Sequence, residues 1–252
     1  MNIIGFSGLA GSGKDTATDY LINTYGDCFR KLSFGDAVKD IAAVAFGWDR
    51  KLLQGDTTES RAFREAKDEF WSKVLQKDFT PRLALQYVGT DLFRNIIDPA
   101  FWIFVVQHKI ETENYDGTYL ITDVRFPNET DMIHSLGGKV YRIVRGNLPD
   151  WYSLAEKYNR KEKLSKKERD VVEKIHPSER AIAGLNKEDE FIHNDGTLEE
   201  YQKIIGFKFN PSALKINTET DCQEKIMNEI AEKYGKNEYL ELTLTNGYKI
   251  IF

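Results

Sequence analysis

The stretch "GLAGSGKDT", residues 8–16, carries the residue types of a phosphate cradle. Gly8, four residues, then Gly13 and Lys14 is the P-loop spacing. Glycines let successive backbone N–H groups turn onto phosphate oxygens with no Cβ in the way. A helix beginning there adds its dipole, and Lys14 brings a mobile charge to the β- and γ-phosphates. The strict pattern wants Ser or Thr after the lysine and meets Asp15, with Thr16 next. Asp15 reads in two ways: as favourable charge at a helix N-terminus, or as a holder of Mg²⁺ through water.

A second pair stands in "YLITDVRFPNE". An acidic residue at the carboxyl end of a parallel strand, here Asp123, can fix Mg²⁺ through water beside a P-loop. Arg125, two residues on, has the fork to clamp a phosphate. The competing reading pairs Asp123 with Arg125 or makes it a helix cap. Asn128 and Glu129 read as helix initiation. His108, His134, His176 and His193 lie apart, at odds with a zinc site, and no nucleophilic triad is evident.

The elements around these residues alternate. "NIIGF" reads as a buried strand, "KDTATDYLINTYG" as a helix with a glycine stop, and "FRKLSF" as a second strand. "GDAVKDIAAVAFGW" is helical. "TPRLALQYVGTDLFRNI" starts with a Thr80 cap and Pro81, and "DPAFWIFVVQHKIETE" repeats that start with Asp98 and Pro99. "TYLITDVRF", "PNETDMIHSLGG" and "KVYRIVRG" give strand, helix, strand. Residues 48–80 are too charged to assign, and "AEKYNRKEKLSKKERDVVEKI" reads as a solvated helical excursion. After the Asn194-Asp195-Gly196 turn, Thr197 caps a last helix. The alternation predicts an α/β chain with a parallel sheet flanked by helices, and the glycine loop between its first strand and helix makes the P-loop NTP hydrolase fold the expectation. "YLELTLTNGYKIIF" predicts a hairpin around Asn246-Gly247 in a C-terminal extension.

The 252 residues, 41% hydrophobic and 30% charged, suit a globular chain, and the net charge of −5 disfavours a nucleic acid polymer as partner. The two cysteines, Cys28 and Cys222, make neither a disulfide framework nor a metal spacing. No run approaches a membrane span, so a cytoplasmic location is expected.

Taken together, "GKDT", "LQYVGTDLFRN", "DPAFW", "ITDVRFPNE", "VYRIVRG" and "NDGTLEE" resemble bacteriophage deoxynucleoside monophosphate kinases, in the family's order, from Ile3 to about Ile205. The form GxxGxGKxT is itself seen in many small-molecule kinases. The resemblance implies a three-part enzyme within residues 1–206: an ATP-holding core, an NMP-binding region at about 34–97, and a lid at about 145–189. Residues 207–252 form an extension without a counterpart, which could join a homodimer interface. It carries Gly11, Ser12, Gly13, Lys14, Asp15 and Thr16 onto ATP phosphates, and Asn194 and Gly196 to the adenine end. Lys39, Arg82, Gln86, Thr90 and Asp91 fall near the acceptor, while Arg125 and Arg145 face phosphates. Arg61, Arg64 and Arg94 are possible phosphate contacts but read more readily as surface charges. His176 and Glu179 belong to the lid or to a turn at Pro177; the charged insertion leaves Arg160 and Arg169 unassigned.

The implied activity moves the ATP γ-phosphate to a dNMP, giving dNDP for dNTP synthesis, with Mg²⁺ as cofactor. A phage-encoded chain would work in the host cytoplasm. The rival readings are a dephospho-coenzyme A-type kinase, with Asp36 as base for a hydroxyl acceptor, a partner-coupled P-loop NTPase, and a nucleotide-binding regulator without turnover.

Overall fold

The computed structural model of the chain describes residues 2–181, 183–184, 188–211, 241–243 and 249–251. Five parallel strands form the central sheet: β1 (Asn2–Ser7), β2 (Phe29–Leu32), β3 (Thr118–Val124), β4 (Lys139–Val144) and β5 (Glu190–His193). Their order is β2-β3-β1-β4-β5. The runs read as strands are apolar along their length because helices cover both faces. Ile3, Ile4 and Phe6 of β1 and Tyr119, Leu120 and Ile121 of β3 are at most 3% exposed. The loop after β1 leaves the sheet at its centre, where neighbouring chain departs to both sides, the usual place for a ligand crevice.

Helices α1 (Lys14–Tyr25) and α2 (Asp36–Phe46) follow β1 and β2. The segment that resisted assignment holds α3 (Thr58–Glu65) and α4 (Glu69–Leu75), started by the side chains of Thr57 and Asp68. Its aromatic residues make a local core. Trp48 stacks on Phe46 at 4.7 Å and donates its Nε1–H to Asp68 at 2.8 Å, and Trp71 donates to the Phe46 carbonyl at 3.1 Å. Next come α5 (Pro81–Gln86), with Thr80 and Pro81 placed as expected, and a π-helix (Tyr87–Ile97). The Gly89 carbonyl accepts from Trp102 Nε1 at 2.7 Å, tying this segment to the next helix.

α6 (Phe101–Thr112) starts later than the sequence suggested. The Asp98 side chain accepts from the Ala100 N–H at 2.7 Å, closing a turn that contains Pro99 before the helix begins. Strand β2 likewise stops at Leu32, because Ser33, Phe34 and Gly35 turn their donors elsewhere. With α7 (Pro127–Ser135), α6 covers one face of the sheet through Ile103, Val106, Ile110, Met132 and Ile133.

The charged stretch forms α8 (Tyr152–Asn159), α9 (Lys166–Glu173) and α10 (Pro177–Arg180). It is more than a solvated face: Tyr152, Ala155, Val172 and Ala183 close a small core of their own. Arg142 of β4 roots this segment at both ends. It pairs with Glu188 at 3.0 Å, side chains 5% and 2% exposed, and lies 4.9 Å from the Tyr152 ring. Finally α11 (Leu198–Lys208) packs with α1 on the other face, where Phe209 meets Phe6 and Tyr141 edge-on. Strands β6 (Glu241–Thr243) and β7 (Lys249–Ile251) pair antiparallel, as the hairpin reading expects; the Asn246-Gly247 turn lies outside the described residues. Among the described residues no helix is long and apolar enough to cross a membrane.

Removing one partner of a buried ion pair strands the other charge. Glu188→Ala is therefore expected to lower unfolding stability by about 3–5 kcal/mol, read from urea denaturation against the unaltered chain.

Candidate active site

The loop after β1 has the conformation a phosphate cradle needs. Gly8, Gly11 and Gly13 sit at φ of 140°, 76° and 109°. At Gly8 a Cβ would lie 2.4 Å from the Ile143 carbonyl oxygen, and at Gly13 2.5 Å from Asn194 Nδ2. Asn194, buried, donates to the Ser12 carbonyl at 2.8 Å, and the Tyr201 hydroxyl donates to the Gly13 carbonyl at 3.1 Å. Asn194 thus braces the loop from behind. Gly196 lies exposed in the turn before α11.

Lys14 is 7% exposed, and its ammonium folds back onto the carbonyls of Gly8 at 2.8 Å and Leu9 at 2.9 Å. Burial brings its pKa down to about 8; the charge of Arg125 pushes the same way, while Asp15, Glu179 and Asp123 oppose it. An arriving anion would relieve that deficit. Asp15 is exposed and pairs with Lys31 at 3.1 Å; Thr16 is half-buried behind it. A cleft of about 230 Å³ opens beside the loop, lined by Leu9, Gly11, Ser12, Arg142, Arg145 and Pro149 among others. Arg145 is exposed on its wall, and Gly146 N–H donates to Asp195 at 2.7 Å.

Asp123 neither pairs with Arg125 nor caps the next helix. Its carboxylate accepts from Ser33 Oγ at 2.7 Å and from the N–H groups of Phe34 and Gly35 at 2.9 and 3.2 Å, fixing the β2–α2 turn. Arg125 instead reaches Glu179 of α10 at 2.7 Å and Ser178 at 3.4 Å. Beneath it, buried Glu129 accepts from the N–H groups of Arg125 at 2.7 Å and Phe126 at 3.0 Å. Two loops and helix α10 therefore meet around Lys14.

The sequence profile of the family Deoxynucleotide monophosphate kinase matches residues 49–205. A protein of Acanthamoeba polyphaga mimivirus, provisionally named a deoxynucleotide monophosphate kinase, is 30% identical over 225 residues, 85% of this chain and 100% of that one. The chain belongs to the deoxynucleotide monophosphate kinase family. The deoxynucleoside-5'-monophosphate kinase of Escherichia phage T5 is 28% identical over 178 residues, covering 52% of this chain and 71% of its own. A dephospho-CoA kinase from Campylobacter jejuni superposes with a TM-score of 0.45 at 15% identity over 85% of this chain and 98% of that one, a distance at which nothing follows about the acceptor.

The acceptor residues expected of a deoxynucleotide monophosphate kinase are scattered along one side. Lys39 Nζ is held by Gln54 at 3.2 Å and Asp36 at 3.4 Å. Arg82 pairs with Glu65 at 2.9 Å, both exposed. Gln86 and Thr90 are exposed, and Asp91 is half-buried near Asn95. The surface reading holds for Arg61, which binds loop carbonyls of Gly55 and Asp56 at 3.1 Å. It fails for Arg64 and Arg94, whose Nε atoms are buried and unpartnered.

Sequence reasoning gave Glu129 only a helix-starting role and missed Tyr201. Glu129 does close a capping box, but burial first, and Asp123 beside it, drive its pKa up to about 7 while the two backbone donors and Arg94 pull down. Its folded pKa stands above the unfolded value, so the folded chain holds a proton there between about pH 4.5 and 7 that the unfolded chain has released. Stability from this group is full below pH 4.5 and is lost as pH rises through 7. Glu129→Gln should therefore gain on the unaltered chain by roughly 3 kcal/mol at most between pH 5 and 7.5, measured by urea denaturation at both values.

Proposed function

We propose that the chain transfers the γ-phosphate of ATP to a deoxynucleoside monophosphate, giving ADP and a deoxynucleoside diphosphate. Family membership supports the reaction class. The observation that carries the reading at this site is the buried ammonium of Lys14 inside a glycine loop, bonded only to that loop, with the charges of Asp123 and Arg125 close enough to act on it.

In this mechanism a phosphate oxygen of the acceptor attacks the γ-phosphorus in line, and the bond from that phosphorus to the bridging oxygen of ADP breaks. The attacking oxygen is already anionic, so no strong base is required, and the protein mainly positions groups and neutralises charge. Backbone N–H groups of Gly11, Ser12 and Gly13 cradle the donor phosphates. Lys14 exchanges loop carbonyls for phosphate oxygens. Arg125 leaves Glu179 for phosphate, and Arg145 closes the cleft on the donor side. Lys39, Arg82, Gln86, Thr90 and Asp91 line the acceptor region at 34–97. Segment 145–189 acts as the lid that excludes water.

Mg²⁺ would supply charge neutralisation between the donor phosphates. Asp15 and Asp123 are hard carboxylate donors suited to hold it through water, with the Thr16 hydroxyl nearby. Residues 1–206 form the kinase unit, 207–252 an accessory piece open to pairing with a second copy, and the host cytoplasm is the setting. The dephospho-coenzyme A alternative gains little, since its candidate base Asp36 is engaged by Arg50 at 3.0 Å and Lys39 at 3.4 Å.

Purified protein with Mg·ATP, offered dNMPs, NMPs and dephospho-coenzyme A, decides the matter by chromatography of products. dNDP formation that falls at least about 100-fold in Lys14→Ala is expected. Consumption of dephospho-coenzyme A alone, or ATP hydrolysis indifferent to any acceptor, would overturn the reading.

A further inference from the structure

Among the described residues, only two buried side-chain nitrogens lack a hydrogen-bond partner, the Nε atoms of Arg64 and Arg94. Arg64 lies against Gly55 and beside Arg82, with nothing that ties it to the phosphate loop. Arg94 is different. Its guanidinium sits 5.7 Å from the Phe126 ring, one residue from Arg125, whose charge reaches Lys14. Its own charge reaches buried Glu129, yet no hydrogen bond joins the two: Glu129 Oε2 is taken by the N–H groups of Arg125 and Phe126. A half-buried guanidinium thus lies near Phe126, the chain neighbour of Arg125, with its Nε–H buried and unpaired.

The helix winding explains how it comes to be there. In an α-helix, residue 94 would point about 140° away from residue 89. The π-winding brings Arg94 closer to the direction of Gly89 around the helix axis than α-winding would. The irregular winding thus resets where Arg94 projects, and π-segments of this kind gather at functional sites.

We propose that Arg94 receives the acceptor's own phosphate, forking onto two of its oxygens opposite Arg125, with Glu129 as the positioning residue that keeps the guanidinium facing the site while no phosphate is present. This rests on the kinase reading above and assigns the residue that distinguishes a nucleotide acceptor from its nucleoside. A planar fork matches a phosphate monoester, whereas a purely structural arginine would be paired by its neighbours.

Calorimetric titration in the absence of ATP tests this without turnover. The four dNMPs and their deoxynucleosides are titrated into the full chain, Arg94→Ala and Arg94→Lys, with ATP as a separate ligand. Arg94→Ala should weaken dNMP binding roughly thirtyfold, leaving deoxynucleoside and ATP binding within about twofold. Arg94→Lys should recover only part of the loss, because an ammonium cannot fork. Equal weakening of dNMP and deoxynucleoside, or no weakening, overturns the assignment, and so does a full chain that binds ATP but no dNMP. If Arg94→Ala does not fold, Arg94→Lys and Arg94→Gln carry the same comparison. A chain that binds dNMP through Arg94 yet forms no diphosphate would sink the kinase reading and leave this one standing.

Discussion

A buried positive charge with no permanent counter-ion organises this molecule. The Lys14 ammonium rests on two carbonyls of its own loop, in a position where burial makes the charge costly. Carbonyl dipoles soften that cost without removing it. The surrounding chain supplies carboxylates at one remove, Asp123 from the end of β3 and Glu179 from α10, rather than one in direct contact. That arrangement leaves the charge available to a ligand, and it obliges the loop to be held rigidly from outside. Asn194 and Tyr201 do so by fixing the carbonyls of Ser12 and Gly13, so that the last strand and helix of the sheet become part of the first loop's architecture.

The same economy of charge runs through the neighbouring residues. Arg125 and Glu179 neutralise each other, and Asp123 spends its carboxylate on the β2–α2 turn. Groups that read from sequence as direct agents on phosphate are engaged with protein. Any ligand that draws Arg125 away from Glu179 would be thermodynamically linked to the position of α10.

Much of this was legible in the chain. The glycine spacing identified the loop, the alternating apolar runs gave the parallel sheet, and Thr80 with Pro81 marked a true helix start. Illegible were features that depend on partners remote in sequence. Asn194 meets Ser12 across 182 residues and Arg125 meets Glu179 across 54, and nothing local to either residue announces the pairing. Arg94 read as a surface charge because arginines are seldom buried, whereas it is half-buried in a segment that winds as a π-helix, which no local sequence signal announces. The charged stretch at 152–173 hid its part of a small core because three buried residues are few among many lysines and glutamates.

The double root at Arg142 has a bearing on how such chains diversify. One buried guanidinium holds Tyr152 near the start of the segment and Glu188 at its end, so the two stems are pinned to a single point of β4. What lies between is a closed loop in the polymer sense, and closing a longer loop costs only logarithmically more entropy. Residues can be inserted or lost there with little penalty to the sheet. The segment between the two stems can thus change in length and charge while the sheet below keeps its register.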